Sequence, residues 1–424
     1  MRLSHQRLNR RRLLALGGLA AVGAATTACG SNTGRDGGDP NKVDLSQWYH
    51  QYGEAGTQDA ATRYATEYPD ANVSIQWIPG DYDAKLASGL LSEDGPDVFE
   101  SHFNSQMATS GQVVPLDDIM ADFKSDFSEI DLFENTWDGK VYGVKMIDDP
   151  QLFYYRKSML TEAGLAVPTT FDELIAAADA LTGKTVKGLY LGNTAGAGVL
   201  NRPLLWSAGQ DLLTADNKIG FGGETTIAAL AKFRTLHENG SLLLGAPTDW
   251  WDSAAFTQGL CAMQWCGMWH MPLIQEALGD DFGVFPMPPV FAPADGGRPS
   301  IVNGGWSTFV SAKSKNVEAA KAFVKWLWLE QVAHQEDWAL SYGFHIPPRK
   351  SLAAKATKLQ SGTAAETVAL SQQYGIGANP AWTTTMNTAL NDLVTKVVRE
   401  GADATAELAT ATGKIDDELA KAGG

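Results

Sequence analysis

Asp148 and Asp149 are adjacent carboxylates, and paired acids are the usual means of cleaving a glycosidic bond. That chemistry needs two carboxyl groups flanking one bond at about 5 to 9.5 Å. Neighbours in an extended chain point to opposite sides, so this pair does not make such a site by itself. It reads as hydroxyl acceptors or a solvated loop. Other reaction centres are missing from the sequence. There is no Gly-x-Ser-x-Gly elbow, no His-Glu-x-x-His, no phosphate-binding loop and no calcium loop. The 7 histidines are scattered without metal-ligand spacing, so neither a metal nor a cofactor is expected. Gly192, Gly196 and Gly198 resemble a dinucleotide loop only loosely and read as a turn. Cys261 and Cys266 lie in an apolar stretch that reads as a buried strand. Five residues at about 3.3 Å each place their Cα atoms about 16 Å apart, beyond the ~7 Å that a disulfide tolerates. Both are expected as buried thiols, on opposite faces because their separation is odd.

Flat rings beside short polar side chains stand out instead. Of the 13 tryptophans, Trp48, Trp250, Trp251, Trp269, Trp306 and Trp382 fall where a strand gives way to a loop. Pyranose rings have apolar faces of C–H bonds and rims of hydroxyls. A site for them needs indoles against the faces and Asp, Glu, Asn or Arg at the rim. Core packing competes with that reading. Trp326, Trp328 and Trp338, on or near an apolar helix, belong to a core. For Trp269 and Trp306, each beside glycine at a strand end, the two readings are evenly balanced.

The elements that must position these rings alternate. Strands are expected over 43–48, 73–77 and 96–100, with helices over 58–68 and 82–91 between and after them. This βαβ order predicts a mainly parallel sheet. A second α/β region follows. Thr170 and Glu173 have capping-box spacing, with Leu174, Ala177, Ala178 and Leu181 on one face. Ser314 is placed to cap a helix with Val317, Ala320, Val324 and Leu327 inward. A late helix turns Leu390, Leu393, Val394 and Val397 inward and stops near Gly401. Together these give an α/β fold, and at roughly 150 residues per domain the length suggests two or three domains.

The net charge is −16, and residues 1–28 carry five arginines and no acid, so the rest is more acidic still. Such a surface repels phosphate backbones, and nucleic acid is not an expected partner. Arg10-Arg11-Arg12, an apolar run from 13 to 25 and Thr26-Thr27-Ala28-Cys29 follow the order of an export signal. The apolar run is shorter than the ~20 residues of a spanning helix. A cysteine directly after small residues resembles the lipidation site of bacterial lipoproteins, though Thr26 stands where Leu is usual. The resemblance implies a signal peptide over 1–28, a lipid on Cys29 that anchors the protein to the outer face of the cytoplasmic membrane, and a flexible linker over 29–42.

Ordered segments carry a wider resemblance. They are Gly95-Pro96-Asp97-Val98-Phe99, Trp137-Asp138-Gly139-Lys140-Val141-Tyr142-Gly143-Val144, and Leu152-Phe153-Tyr154-Tyr155-Arg156-Lys157 with Ala163-Gly164-Leu165. Further on come Phe256-Thr257-Gln258-Gly259, Gly267-Met268-Trp269, Pro286-Met287-Pro288, Gly304-Gly305-Trp306 and Tyr342-Gly343-Phe344-His345-Ile346-Pro347. In this order and spacing the chain resembles the maltose-binding-like, sugar-specific solute-binding proteins of ABC importers. The resemblance implies a two-lobed periplasmic-binding-protein-like fold of type II, with the ligand between lobes joined by hinge segments. The first lobe would take 43–145 and 302–345, and the second 146–301 and 346–424. Hinges would fall near 146–150, 299–302 and 346–349.

The same resemblance implies site residues. Trp48, Tyr49, His50 and Glu54 open the first-lobe side, followed by Glu100 and Asn104. Asp149 and Arg349 lie at crossings. Trp206, Trp250, Trp269 and Trp382 belong to the second lobe, and Trp306 lies beside a hinge. Family proteins have Gly-Pro-Trp where this chain has Gly267-Met268-Trp269. The implied function is capture of a di- or oligosaccharide for an ABC permease, without covalent chemistry. The alternatives are a binding protein for a peptide or other polar solute, a surface glycoside hydrolase, or an adhesin with an exposed flat aromatic patch.

Overall fold

A computed structural model describes residues 39–422. Cys29 and the export-signal region therefore lie outside the described residues. In chain order the strands are β1 (Val43–His50), β2 (Ala71–Ile78), β3 (Val98–Ser101), β4 (Thr136–Trp137), β5 (Lys140–Val141), β6 (Val144–Lys145) and β7 (Asp149–Tyr155). They continue as β8 (Lys187–Tyr190), β9 (Cys261–Gly267), β10 (Gly283–Phe285), β11 (Ile301–Gly304), β12 (Ser307–Val310) and β13 (Gly375–Ile376).

Two larger sheets organise the molecule. The first runs β2-β1-β3-β12-β6, and the second runs β13-β11-β7-β9-β8 with β10 also on β7. The opening β-α-β unit forms as its pattern predicts. β1 pairs in parallel with β2 and β3, and the helix Thr57–Glu67 between β1 and β2 buries Ala60, Ala61, Tyr64 and Ala65. The sheets as a whole are mixed, not mainly parallel. β12 is antiparallel to β3 and β6, and β7 is antiparallel to β9, β10 and β11. Strands that arrive from the other sheet run against their neighbours, which local βαβ patterning does not show.

The chain leaves the first sheet between β6 and β7 and returns between β11 and β12. β11 belongs to the second sheet through its pairing with β7 and β13. The return therefore falls at Gly305 and Trp306, a few residues later than expected. Gly305 has φ 99°, and a Cβ there would lie 2.0 Å from the Ile147 carbonyl oxygen. Only glycine lets the two crossings pass this closely. A third crossing is marked by the bridge between Asp148 and Ile346.

Each sheet has its own core. Leu45, Tyr49, Trp328 and Trp338 pack on one face of the first sheet, and Trp48, Phe99 and Phe309 on the other. Phe153, Trp265, Leu390, Leu393 and Val394 share a core at the second sheet, so the late helix Thr384–Val394 joins that side. The capping box of Thr170 and Glu173 forms. Ser314 caps no helix. Its hydroxyl donates to Asp97, and the helix begins at Val317 after Asn316. Cys261 and Cys266 are free and buried in β9. Both fall in one apolar cluster, not on opposite faces. The Cys261 thiol lies 3.9 Å from the Gln264 side chain, so alternation is already broken at the start of the strand.

Candidate functional site: an aromatic cleft between the two sheets

A cavity of about 790 Å³ opens between the two sheets, within the usual range for a small-molecule site. His50, Tyr52, Glu54, Asp81, Tyr82, Asp83 and His102 line it from the first sheet. Asp149, Gln151, Arg202, Trp250, Trp251, Trp269 and His270 line it from the second, and Gly305, Trp306 and His345 from the crossings.

The first wall is built on one buried acid. Glu100, in β3, is fully buried. It accepts hydrogen bonds from the His50 N–H at 2.6 Å and the Tyr52 hydroxyl at 2.7 Å, and it lies 2.5 Å from His50 Nδ1. Its backbone carbonyl accepts from the Tyr82 hydroxyl at 2.8 Å. Three cleft-lining rings are thereby fixed from behind. His50 stacks on Trp306 with centroids 4.1 Å apart and meets Tyr52 at a tilt, 3.9 Å away. His102 adds a further ring 4.4 Å from Trp306.

At the crossings, His345 joins two carboxylates. Its Nδ1 lies 2.5 Å from Asp149 and its Nε2 3.4 Å from Glu54. Burial disfavours the imidazolium, but Asp149 and then Glu54 outweigh it and raise the pKa to about 10. Burial would likewise raise Glu54, yet the hydrogen bond and charge of His345 hold it below its ordinary value. Two carboxylates, Asp149 and Glu54, thus meet around one cation at the cleft.

The second wall carries Trp250 and Trp251 on a turn and Trp269 on the 3-10 turn Met268–His270. Trp269 is half-buried and donates from Nε1 to the Trp251 carbonyl at 2.9 Å. Trp250 meets it edge-on at 6.0 Å. The Trp269 ring folds back on Gly267, where a Cβ would lie 1.8 Å from the indole. Trp251 is 45% exposed. His270 accepts from the Ser253 N–H at 3.0 Å and fixes the same loop.

Of the residues that the resemblance implied, His50, Glu54, Asp149, Trp250, Trp269 and Trp306 converge on the cleft. Glu100 sits one layer behind it as the anchor for His50 and Tyr52. The others turn elsewhere. Trp48 and Tyr49 point to opposite faces of β1 and enter the two first-sheet cores, while His50, on the Trp48 face at the end of the strand, reaches the cleft. Asn104 accepts from the Gln106 N–H and caps the helix Ser105–Thr109. Arg349 pairs with Asp126 at 2.9 Å and donates to the Leu329 carbonyl. Trp206 and Trp382, only 3% and 8% exposed, pack in the second-sheet core. Trp206 touches only a smaller cavity beside the cleft. Neither Trp206, on the helix Asn201–Ser207, nor Trp382, at a loop, carries a local mark of which side its ring faces, and the apolar demand of a core claimed both.

Sequence reasoning missed Tyr52, Tyr82, Asp81, Asp83, His102, Gln151, Arg202, His270 and His345 as cleft residues, and marked Trp251 only among the strand–loop aromatics. His345 lies within the segment Tyr342 to Pro347 that carries the resemblance, and Tyr52 lies between His50 and Glu54. Arg202 had no sequence signal. Among the described residues no group of three or more His, Cys, Asp or Glu side chains could hold a metal ion.

Residues 45–333 match the family model described as "Bacterial extracellular solute-binding protein". An arabinooligosaccharide-binding protein of Halalkalibacterium halodurans is 23% identical over 305 residues, covering 69% of this chain and 68% of that protein. A solute-binding protein from Thermotoga lettingae, solved with alpha-D-tagatose, superposes with a TM-score of 0.76 at 20% identity over 89% of this chain and 100% of its own. The GacH receptor of Streptomyces glaucescens, solved unliganded and with acarbose, superposes at 0.74 and 24% identity over 90% of this chain and 99% of its own. These structures share the two-lobed fold. Because the family model spans both sheets and most of the chain, this protein belongs to the bacterial extracellular solute-binding proteins.

Proposed function

We propose that this protein is an extracytoplasmic receptor that captures a di- or oligosaccharide between its lobes and presents it to an ABC importer permease. The observation that carries the reading is the cleft itself, with Trp306, Tyr52 and Tyr82 on one wall and Trp250, Trp251 and Trp269 on the other. Indole and phenol faces suit the C–H faces of pyranoses, and Glu54 and Asp149 offer acceptors for hydroxyls. A ligand touching both walls favours the closed arrangement of the lobes. Names among the relatives point the same way, towards arabinooligosaccharides and maltotriose.

A hydrolase needs a carboxylic acid that carries a proton at working pH. Glu54 is held below its ordinary value by His345, so it does not supply that proton, whereas burial raises the Asp83 carboxyl on the same cleft. Lipid attachment at Cys29 would tether the receptor beside its permease. The test is a thermal-shift and calorimetric screen against glucans, xylans, arabinans, mannans, chitin fragments and α-glucosides. One saccharide should bind at micromolar or tighter affinity. At one hundred times the dissociation constant it should stabilise the fold by about 2.7 kcal/mol. Flat melting curves across the panel would overturn the sugar reading, and hydrolysis of the bound saccharide would overturn the receptor reading.

A further inference from the structure

Arg202 enters the cleft near the start of the helix Asn201–Ser207. It is half-buried and lines both the cleft and a smaller cavity of about 70 Å³ that adjoins it. His102 and Gln151 line both spaces as well. The charges around this junction are unevenly matched. Lys145 is engaged by Glu134 at 2.6 Å and Asp148 at 3.6 Å. The other oxygen of Glu134 accepts from the Ala378 N–H at 2.8 Å. Glu54 and Asp149 share His345, and Glu100 holds His50 and Tyr52. Among the described residues no side chain accepts a hydrogen bond from the Arg202 guanidinium, which senses Glu134 only at a distance.

The carboxylates nearest to Arg202 are thus already committed. The protein around Arg202 also lowers its pKa, though it remains a cation at any physiological pH. Lobe closure on a ligand strips further water from this group. A neutral hydroxyl would return one ordinary hydrogen bond. A carboxylate would return two parallel, charge-assisted ones and neutralise the buried charge. Asp81 and Asp83 lie on the first-sheet wall of the same cleft, so an anion finds one favourable end and one repulsive one.

We propose that the ligand is an acidic oligosaccharide whose uronic carboxylate docks on Arg202, beside His102 and Gln151, where the cleft meets the smaller cavity. This inference rests on the sugar-receptor reading. It adds a charge class and an orientation, with the acid away from Asp81 and Asp83.

Calorimetric titration of the whole protein with matched saccharides tests it. One pair is xylotetraose with and without a glucuronic acid branch; the other is galactan and galacturonan trimers. In at least one pair the uronate should bind at least tenfold more tightly, about 1.4 kcal/mol. The preference should weaken with added salt. Arg202→Gln should bring the uronate to the level of its neutral partner and leave the ligand-free melting temperature unchanged, while Arg202→Lys should keep part of the preference. Neutral saccharides binding as well as or better than their uronates would overturn the inference and leave the receptor reading intact. A uronate preference that persists in Arg202→Gln would also overturn it. If no saccharide binds, both readings fall together.

Discussion

The two walls of the cleft are built differently. On the first wall, His50, Tyr52 and Tyr82 are tied to one buried acid, Glu100, and His50 stacks on Trp306. On the second, Trp250 and Trp251 stand on a turn and Trp269 on a short 3-10 turn, and the three are joined by one side chain-to-backbone hydrogen bond and one edge contact. The first wall is preorganised, and its rings give up little freedom when a ligand arrives. The second retains side-chain freedom at Trp251 and can adjust to a ring stacked against it. A receptor with one rigid and one adaptable wall fixes the register of its ligand on the first and completes contact on the second.

The sharpest way to break this contrast is Glu100→Leu. It leaves the His50 N–H and the Tyr52 hydroxyl without their acceptor in a buried layer. Chemical denaturation should show a loss of about 3 kcal/mol, with ligand binding abolished. Unchanged stability and affinity would mean that the first wall is not held by this acid.

Trp269→Ala probes the second wall and should act on binding more than on folding. Affinity for the bound saccharide should fall at least tenfold, about 1.4 kcal/mol. The ligand-free protein should lose no more than about 1 kcal/mol, because the ring is half-buried. A loss of about 3 to 5 kcal/mol, as for a core tryptophan, with affinity preserved, would move Trp269 out of the site.

The crossing between the walls answers to pH through His345. Its pKa is raised from 6.5 to about 10, so its stabilising contribution is complete below pH 6.5 and is lost as pH climbs through about 10. His345→Gln leaves two buried carboxylates without their cation, so it should cost about 3 kcal/mol at neutral pH and flatten the fall in stability between those two values. A variant that keeps the wild-type slope in pH-dependent melting would exclude His345 as its source.

Trp251→Ala should have the smallest effect, less than about threefold in affinity, or ~0.6 kcal/mol. Its side chain is 45% exposed, and its carbonyl, which receives the Trp269 hydrogen bond, survives the substitution. A larger loss would show that the adaptable wall closes fully over the ligand.

Local pattern by itself determined much of this protein. The opening β-α-β unit, the capping box at Thr170 and Glu173, the core positions of Trp328 and Trp338, and the buried strand holding both cysteines follow from periodicity, propensity and chain geometry. Those signals act over a few residues and survive any tertiary context. The ordered segments also carried the family, because their spacing spans both sheets. What only the tertiary structure decided is which polar and aromatic side chains face one another. Alternation along β1 parts Tyr49 from Trp48 and His50, but only the end of the strand at the cleft parts His50 from Trp48 on their shared face, and a pattern of apolar residues cannot tell a ligand from a core. Glu54, Asp149 and His345 meet across some 290 residues of chain. Arg202 gains its meaning from the commitment of the carboxylates around it. Contacts of that kind depend on where the chain crosses between sheets, and pairing of β11 with the second sheet put that crossing at Gly305 and Trp306.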